Sequence, residues 1–554
     1  MRFTSVPEDI GRVEIDLVVV GAGINGAGIA RDAALRGLRV VLLDKGDIAS
    51  GTTSWSTRLI HGGLRYLEHR EVGLVRESLR ERERLLRAAP HLVKPVPLLL
   101  PLYRGDKRGR WLVRTGMLAY DALSFDKSLP RHHMLSREEA LRRAPGLATE
   151  GLVGAALYYD AQVEYAERLA VENALSAWEH GATVLTYARV NRLITENGAV
   201  CGVGFTDLID RGSFEVRAAV TVNVAGPWVD QVLAGGGGAA APARMIGGTK
   251  GSHIIVGCFP GAPTDALYVE ARQDGRPYFI VPWNGLYLIG TTDTRYDGDL
   301  DRVEATPAEV NYLVRETNRV IPGAGLSAAS VLYTYAGVRP LPEQPQGSAA
   351  AITRRHLIYD HAKVGTDGMV SIIGGKLTTY RNLAEEAVDA VYRKLDRPTP
   401  PATTRLPLPG ADPVAGRDLA GVRAWLVDEG FEAATVDHLM RVYGTRAIRV
   451  AMLAHESPDL CERLDPTSGE IGAEIVFAFR EEQAETLTDA LLRRTMVGLG
   501  PKAGVGADER AADIGRRYLD WDQQRADREV ATYRDYIDRF HPGALAASLQ
   551  CAPA

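Results

Sequence analysis

Apolar residues crowd into Ile15 to Val20 (IDLVVV), the pattern of a short strand buried on both faces. Small residues at helical spacing follow in AGIARDAALRG, and LRVVLLD then predicts a second strand ending on Asp44. Gln162 to His180 has helical spacing, and ATVLTYARV after it reads as a strand. VNRLITE and AVCGVGF flank Asn197-Gly198, the dipeptide of a two-residue hairpin turn. VTVNVAG predicts a strand closing at Gly226, and MVSIIGG another that closes at Gly375 and passes straight into the helical pattern KLTTYRNLAEEAVDAVYRKL. A second strand–glycine–helix junction this late predicts an α/β domain interrupted by other material and then resumed. Beyond the proline-rich RPTPPATTRLPLPG at 397–410, apolar residues fall three and four apart through 411–545, which predicts a separate helical domain acting as a cap or a homodimer contact. The expected division is 14–75, 150–230 and 350–396 for the interrupted domain, with 76–149 and 231–349 forming a β-rich domain that faces substrate and membrane.

The turn after the first strand is GAGING, with Gly21, Gly23 and Gly26 in G-x-G-x-x-G register. Gly21 permits the tight turn, Gly23 lets the backbone approach a pyrophosphate, and Gly26 lets helix and strand pack closely. The helix start offers N–H groups and partial positive charge to that pyrophosphate, and Asp44 stands where a carboxylate accepts from ribose hydroxyls. Strand, helix, second strand and terminal acid together predict dinucleotide binding, without choosing between a nicotinamide and a flavin. The late helix tips the choice toward flavin, since its amide end could face a ring that carries negative charge when reduced. Two other glycine-rich runs, Gly235 to Gly238 and Gly498 to Gly506, follow no strand and are expected to be loops.

A net charge of −5 gives no reason to expect nucleic acid as a partner. The four cysteines (Cys201, Cys258, Cys461, Cys551) are widely spaced and the histidines lack metal-ligand spacing, so no disulfide framework, iron–sulfur centre or other metal site is expected, and a reducing cytoplasm fits. The opening residues lack an apolar core, and no run of about 18 apolar residues predicts a spanning helix. A peripheral anchor is expected instead at VPLLLPLY (Val96 to Tyr103) followed by RGDKRGRWLVR, where five basic residues flank Trp111, Leu112 and Val113, a composition suited to an anionic lipid surface.

Six further segments occur in one order: Thr57 to His69, KGSH at Lys250 to His253, GTTDT at Gly290 to Thr294, YAGVRPL at Tyr335 to Leu341, AITR at Ala351 to Arg354, and GGKLTTYR at Gly374 to Arg381. Together they resemble the respiratory, FAD-dependent sn-glycerol-3-phosphate dehydrogenases of the aerobic type, from about Asp16 to the RRT at Arg493 to Thr495. The acid closing the second strand is often Glu in that family and is Asp44 here. The resemblance implies an interrupted FAD-binding Rossmann-like domain of the glutathione-reductase/amino-acid-oxidase type with a β-rich substrate domain and a C-terminal helical domain. It implies non-covalent FAD, with Ser54, Thr57, Gly62, Gly63, Gly226, Gly374, Gly375, Leu377 and Thr378 joining the fingerprint residues around the cofactor.

Oxidising a secondary alcohol through a flavin requires a hydride acceptor, a base and a grip on the phosphate. The planar fork of arginine suits that grip, and the resemblance assigns Arg65, Arg339 and Arg354 to it, with Lys376 touching substrate and flavin edge. His61 and His253 both remain open as the base, because imidazole titrates near neutrality; the family places KGSH beside the substrate, which favours His253. The activity implied is oxidation of sn-glycerol 3-phosphate to dihydroxyacetone phosphate by hydride transfer to flavin N5, with electrons leaving to membrane quinone at the cytoplasmic face. An oxygen-using oxidase, an amine or amino-acid oxidase on the same fold, and a non-enzymatic membrane flavoprotein are the rival readings.

Overall fold

The computed structural model describes residues 5–67, 71–235, 244–344 and 353–540, and all but the side chain of Arg65 within them. Its first layer is a sheet whose centre is parallel. The strand Ile15–Val20 lies between Val40–Leu43 and Ser213–Asn223, and Met369–Ile373 pairs on the far side of Ser213–Asn223. Four consecutive residues of Ile15–Val20, Leu17 to Val20, are at most 5% exposed, as a strand covered on both faces requires. The helices Ile24–Leu35, Ala166–Glu179 and Tyr380–Lys394 pack on this sheet, so the late junction does return to the first one. The expected hairpin closes at Asn197 and Gly198, both at positive φ, between the antiparallel strands Ala188–Glu196 and Ala199–Asp207.

The second layer is a ten-stranded sheet, in which Thr249–Val256 pairs with Leu286–Gly290 and with Val331–Arg339. Two expectations are corrected by this sheet. Residues 150–163, expected in the nucleotide-binding domain, supply the strand Leu152–Val163, which lies antiparallel to Val93–Tyr103 along its length. VPLLLPLY is that partner strand and not a lipid anchor. One ladder runs along its length, a second pairs Leu98 and Leu99 with Ala266 and Leu267, and both leucines are fully buried. An apolar run interrupted at Pro97 and Pro101 fits a sheet interior as well as it fits a bilayer surface, and pattern alone could not separate the two.

The basic half of that segment opens the helix Arg110–Leu123, where Trp111, Leu112 and Leu118 stand 77%, 59% and 55% exposed, followed by Phe125 at 78%. No described helix is long and apolar enough to cross a membrane. After residue 410 the chain is helical, from Leu419–Asp428 to Gln523–Asp538, around a core shared with the second sheet. The expected glycine loop at Gly235 to Gly238 lies, beyond Gly235, outside the described residues, as do 541–545 of the expected helical domain.

Candidate active site

Gly21 adopts φ 113°, and a Cβ on Gly26 would stand 1.7 Å from the Gly21 carbonyl, so turn and helix can meet only through hydrogen atoms. Gly23 has no side chain with which to cap the helix; Ile24 N donates instead to Thr53 Oγ1 at 3.0 Å, and both residues line the cavity at a helix start suited to an anion. Asp44 accepts from Ala22 N at 2.6 Å and Gly46 N at 2.8 Å. Burial pushes its carboxyl up to about 6, and no cation pairs with it among the described residues, so hydroxyl donors are the partners it lacks. A cavity runs from these residues past Lys45, Ser50 to Thr53, Val190, Gly226 and Trp228 to Gly375 and Leu377. The two junctions meet at Asn25: its Nδ2 donates to the Gly374 carbonyl at 3.4 Å, and a Cβ on Gly375 would lie 2.4 Å from that nitrogen. A long two-headed ligand with a pyrophosphate and a ribose fits this cradle, as FAD does.

The cavity continues into a chamber bordered by Thr57, His61, Tyr66, His253, Arg339, Arg354, Gly374 to Thr378 and Phe279. Lys376 Nζ is buried there without a hydrogen-bond partner among the described residues, 3.7 Å from the centre of the Tyr66 ring, and burial lowers its pKa to about 7. A second chamber, of about 490 Å³, shares His61, Tyr66, Arg339 and Arg354 and adds Gly63, Asp293 and Arg276. Arg339 Nη1 donates to Asp293 Oδ1 at 3.1 Å and Arg354 Nη2 to Asp293 Oδ2 at 3.3 Å. Burial opposes the charge of Asp293, yet Arg339 and Arg354 outweigh it and hold the carboxyl below its ordinary range. Arg354 Nη1 is buried with no partner among the described residues. Two guanidiniums thus share one carboxylate, leaving a net positive site with donor capacity to spare.

The two histidines differ. His253 lies within its strand, 2% exposed; its Nε2 meets Thr57 Oγ1 at 2.9 Å, and its ring stands 4.8 Å from that of Tyr335. Burial, Arg339 and Arg58 together drive its pKa well down. His61 borders both chambers; burial lowers its pKa, Asp160 opposes that shift and Lys376 adds to it.

Besides Gly26, which packs helix on turn, two expected cofactor contacts border neither the cavity nor its chambers. Ser54 turns inward and donates to the Ala49 carbonyl at 2.6 Å, because the loop needs that bond to close, and Thr52 and Thr53 face the cavity in its place. Gly62 lies behind the wall, its N–H donated to Tyr120 Oη at 2.9 Å, where a Cβ would meet that hydroxyl at 2.4 Å. The side chain of Arg65 lies outside the described residues. Asp293 was missed as a functional residue although it sits in the quoted GTTDT, and Tyr66 although it follows Arg65. Asp160, which anchors Tyr120 at 2.8 Å and Arg82 at 2.6 Å behind Gly62, carried no local signal at all.

A family model described as FAD dependent oxidoreductase matches residues 16–381, and one described as the C-terminal domain of alpha-glycerophosphate oxidase matches 401–526. The chain is 48% identical over 550 residues to a glycerol-3-phosphate dehydrogenase of Synechocystis, covering 96% of this chain and 98% of that protein. It is 39% identical to a D-erythritol 1-phosphate dehydrogenase of Brucella abortus, covering 87% of this chain and 94% of that one. The structure is similar to that of the glycerol-3-phosphate dehydrogenase from Bacillus halodurans complexed with FAD, with a TM-score of 0.77, 28% identity and 96% of each chain covered. With the glycine turns, the cavity-lining carboxylate of Asp44 and these matches in agreement, the chain belongs to the FAD-dependent oxidoreductases, within their glycerol-3-phosphate dehydrogenase family.

Proposed function

We propose that the protein oxidises sn-glycerol 3-phosphate at C2 to dihydroxyacetone phosphate and delivers the electrons to membrane quinone from the cytoplasmic face. The observation that carries the reading is the pair Arg339 and Arg354 around Asp293, a net cationic fork facing the chamber that continues the dinucleotide cavity. FAD, when bound, supplies the hydride acceptor. Arg339 and Arg354 hold the phosphate dianion and so orient C2 toward the first chamber. His61 is assigned the hydroxyl proton, since it borders both chambers, whereas His253 is fastened between Thr57 and Tyr335 and fits an orienting role. Lys376, whose amine burial holds near its midpoint at neutral pH, is assigned to the first chamber, where an anionic substrate would draw it to its charged form. Peripheral attachment is assigned to the exposed face of Arg110–Leu123, with Trp111, Leu112 and Leu118 entering the lipid interface and Arg114 beside Trp111 meeting anionic headgroups.

Anaerobic bleaching of the flavin by a panel of glycerol phosphates, a tetritol phosphate and amino acids tests the substrate class. Bleaching by an amino acid but by no phosphorylated polyol would overturn it. The Brucella relative's longer substrate favours including the tetritol phosphate as a second reading of the same chamber. The C-terminal match to an oxidase favours testing oxygen as the acceptor, by stopped-flow reoxidation of the reduced enzyme with oxygen and with quinone.

A further inference from the structure

The RRT at Arg493 to Thr495 has no part in the chemistry, yet its arginines are among the most deeply buried side chains described. Arg493 and Arg494 close the turn Ala490–Arg494 of the C-terminal helical region and reach across to Asp47. Arg493 Nε donates to Asp47 Oδ2 at 2.6 Å, and Arg494 gives Nη1 to Oδ2 at 2.9 Å and Nη2 to Oδ1 at 2.8 Å. Arg493 Nη2 also donates to Asp489 Oδ1 at 2.6 Å, which accepts from Tyr187 Oη at 2.7 Å. Two guanidiniums and two carboxylates balance, and none of the four side chains is more than 3% exposed.

Asp47 is three residues past the ribose-facing Asp44, in the loop whose Lys45, Ser50, Gly51, Thr52 and Thr53 wall the dinucleotide cavity. The other side of the cluster grips the same loop, for Tyr187 N donates to the Gly46 carbonyl at 3.0 Å and Ala188 N to the Asp44 carbonyl at 2.7 Å. The loop is further bent at Ala49, at φ 63°, whose N–H donates to the Ala22 carbonyl in the glycine turn. Apolar packing alone would tolerate small slips of such a loop. A buried charge cluster does not, since any slip leaves a charge in low dielectric without its partner.

We propose that Arg493 and Arg494 are positioning residues for the cofactor: through Asp47 they fasten the Asp44–Thr53 loop over FAD, so the C-terminal region serves as a cofactor clasp. Linkage makes this reciprocal, and FAD tightens the clasp as much as the clasp tightens FAD.

The test uses purified holoenzyme. Asp47→Asn keeps the shape of the side chain but removes the charge, and Arg494→Lys keeps the charge but removes the fork. Both should release FAD at least about tenfold faster than wild type, followed by flavin fluorescence after dilution, and added FAD should restore the lost turnover. FAD release at the wild-type rate from either folded variant overturns the proposal, as does a stability loss that is equal with and without FAD. Where a variant does not fold, wild-type hydrogen exchange decides. Stripping FAD should raise exchange in both 44–53 and 489–495, and unchanged protection in 489–495 would refute the coupling.

Discussion

Arg354→Ala tests the proposed phosphate contact. Arg339 and Arg354 share the two oxygens of Asp293 at 3.1 and 3.3 Å, so the trio carries one net positive charge toward an incoming dianion. Arg354 Nη1, buried and unpartnered among the described residues, is a donor the site holds in reserve. Removing Arg354 deletes that donor and brings the trio to neutrality, with the Asp293 carboxylate turned partly toward the phosphate. A hydrogen bond to a charged group contributes about 1.5–3 kcal/mol, so losing a paired contact should cost roughly 3 kcal/mol, or about 100-fold in kcat/KM. The same physics predicts a partial rescue. Adding Asp293→Asn to Arg354→Ala restores the net positive charge, and a unit charge about 4 Å away at an effective dielectric near 20 is large enough to return roughly tenfold. Anaerobic dye-linked turnover, normalised to bound flavin, reads both effects. A single variant within about threefold of wild type, or a double variant no better than the single, would show that this arginine does not hold the phosphate.

Four other outcomes follow from the same structure. Asp44→Ala should weaken FAD by about 1–3 kcal/mol, since it removes a buried acceptor from the ribose; equilibrium dialysis checks it, and equal retention would count against the ribose contact. Acid precipitation should release the yellow colour, because Cys201, Cys258 and Cys461 border none of the cavities described above; colour left in the pellet would mean a covalent link. Trp111→Glu with Leu118→Glu should abolish flotation with anionic liposomes while dye-linked turnover persists; Arg108 is the wrong residue for that purpose, as it pairs with Glu270 at 2.7 Å, and flotation of the double variant like wild type would move the anchor elsewhere. Lys376→Met should stabilise flavin-free protein while lowering turnover. The folded pKa of Lys376 is depressed from 10.5 to about 7, so the unfolded chain binds the extra proton between those values. Wild-type stability therefore gains as pH rises through that window, and the advantage of the variant should be larger at pH 7 than at pH 10. A pH-independent difference in Tm would contradict the depressed pKa.

The sequence displayed the parts of the site that depend on local chemistry. Gly21 and Gly26 could be placed because backbone conformation and close approach require glycine there, Gly23 because it lines the cavity between them, and Asp44 because it closes the strand beside them. Arg339, Arg354 and Lys376 stand in short motifs far apart in the chain, and all three border one chamber. What was hidden depends on which surface a residue meets. Ser54 looked like a cofactor contact because the loop around it is rich in hydroxyls, but alternate residues of a tight turn face opposite ways, and Ser54 faces the Ala49 carbonyl. VPLLLPLY looked like a lipid anchor because apolar content does not say whether lipid or a neighbouring strand covers it. The exposed face of Arg110–Leu123 could be seen only once its neighbours were in place.

The residues missed entirely are mostly charges that touch another part of the chain. Arg82 with Asp160, Arg58 with Glu167, and Arg494 with Asp47 are all buried pairs between segments 78, 109 and 447 residues apart. Each reads in sequence as a solvated surface charge, since neither partner is local and charged residues are mostly exposed. Their common location says what they do. Arg82 and Asp160 stand behind Gly62, Arg58 and Glu167 beneath Tyr335 and His253, and Arg494 and Asp47 beside the loop over the dinucleotide cavity. Apolar packing brings sheet, sheet and helices together but is nearly indifferent to sliding by a fraction of an ångström, whereas catalysis is not. A buried ion pair adds little net stability over apolar residues of the same shape, and it is strict about geometry. Three such pairs at three walls of one cavity are therefore better explained by the position they impose than by the stability they contribute, and neutralising one partner should disturb FAD retention or KM along with Tm.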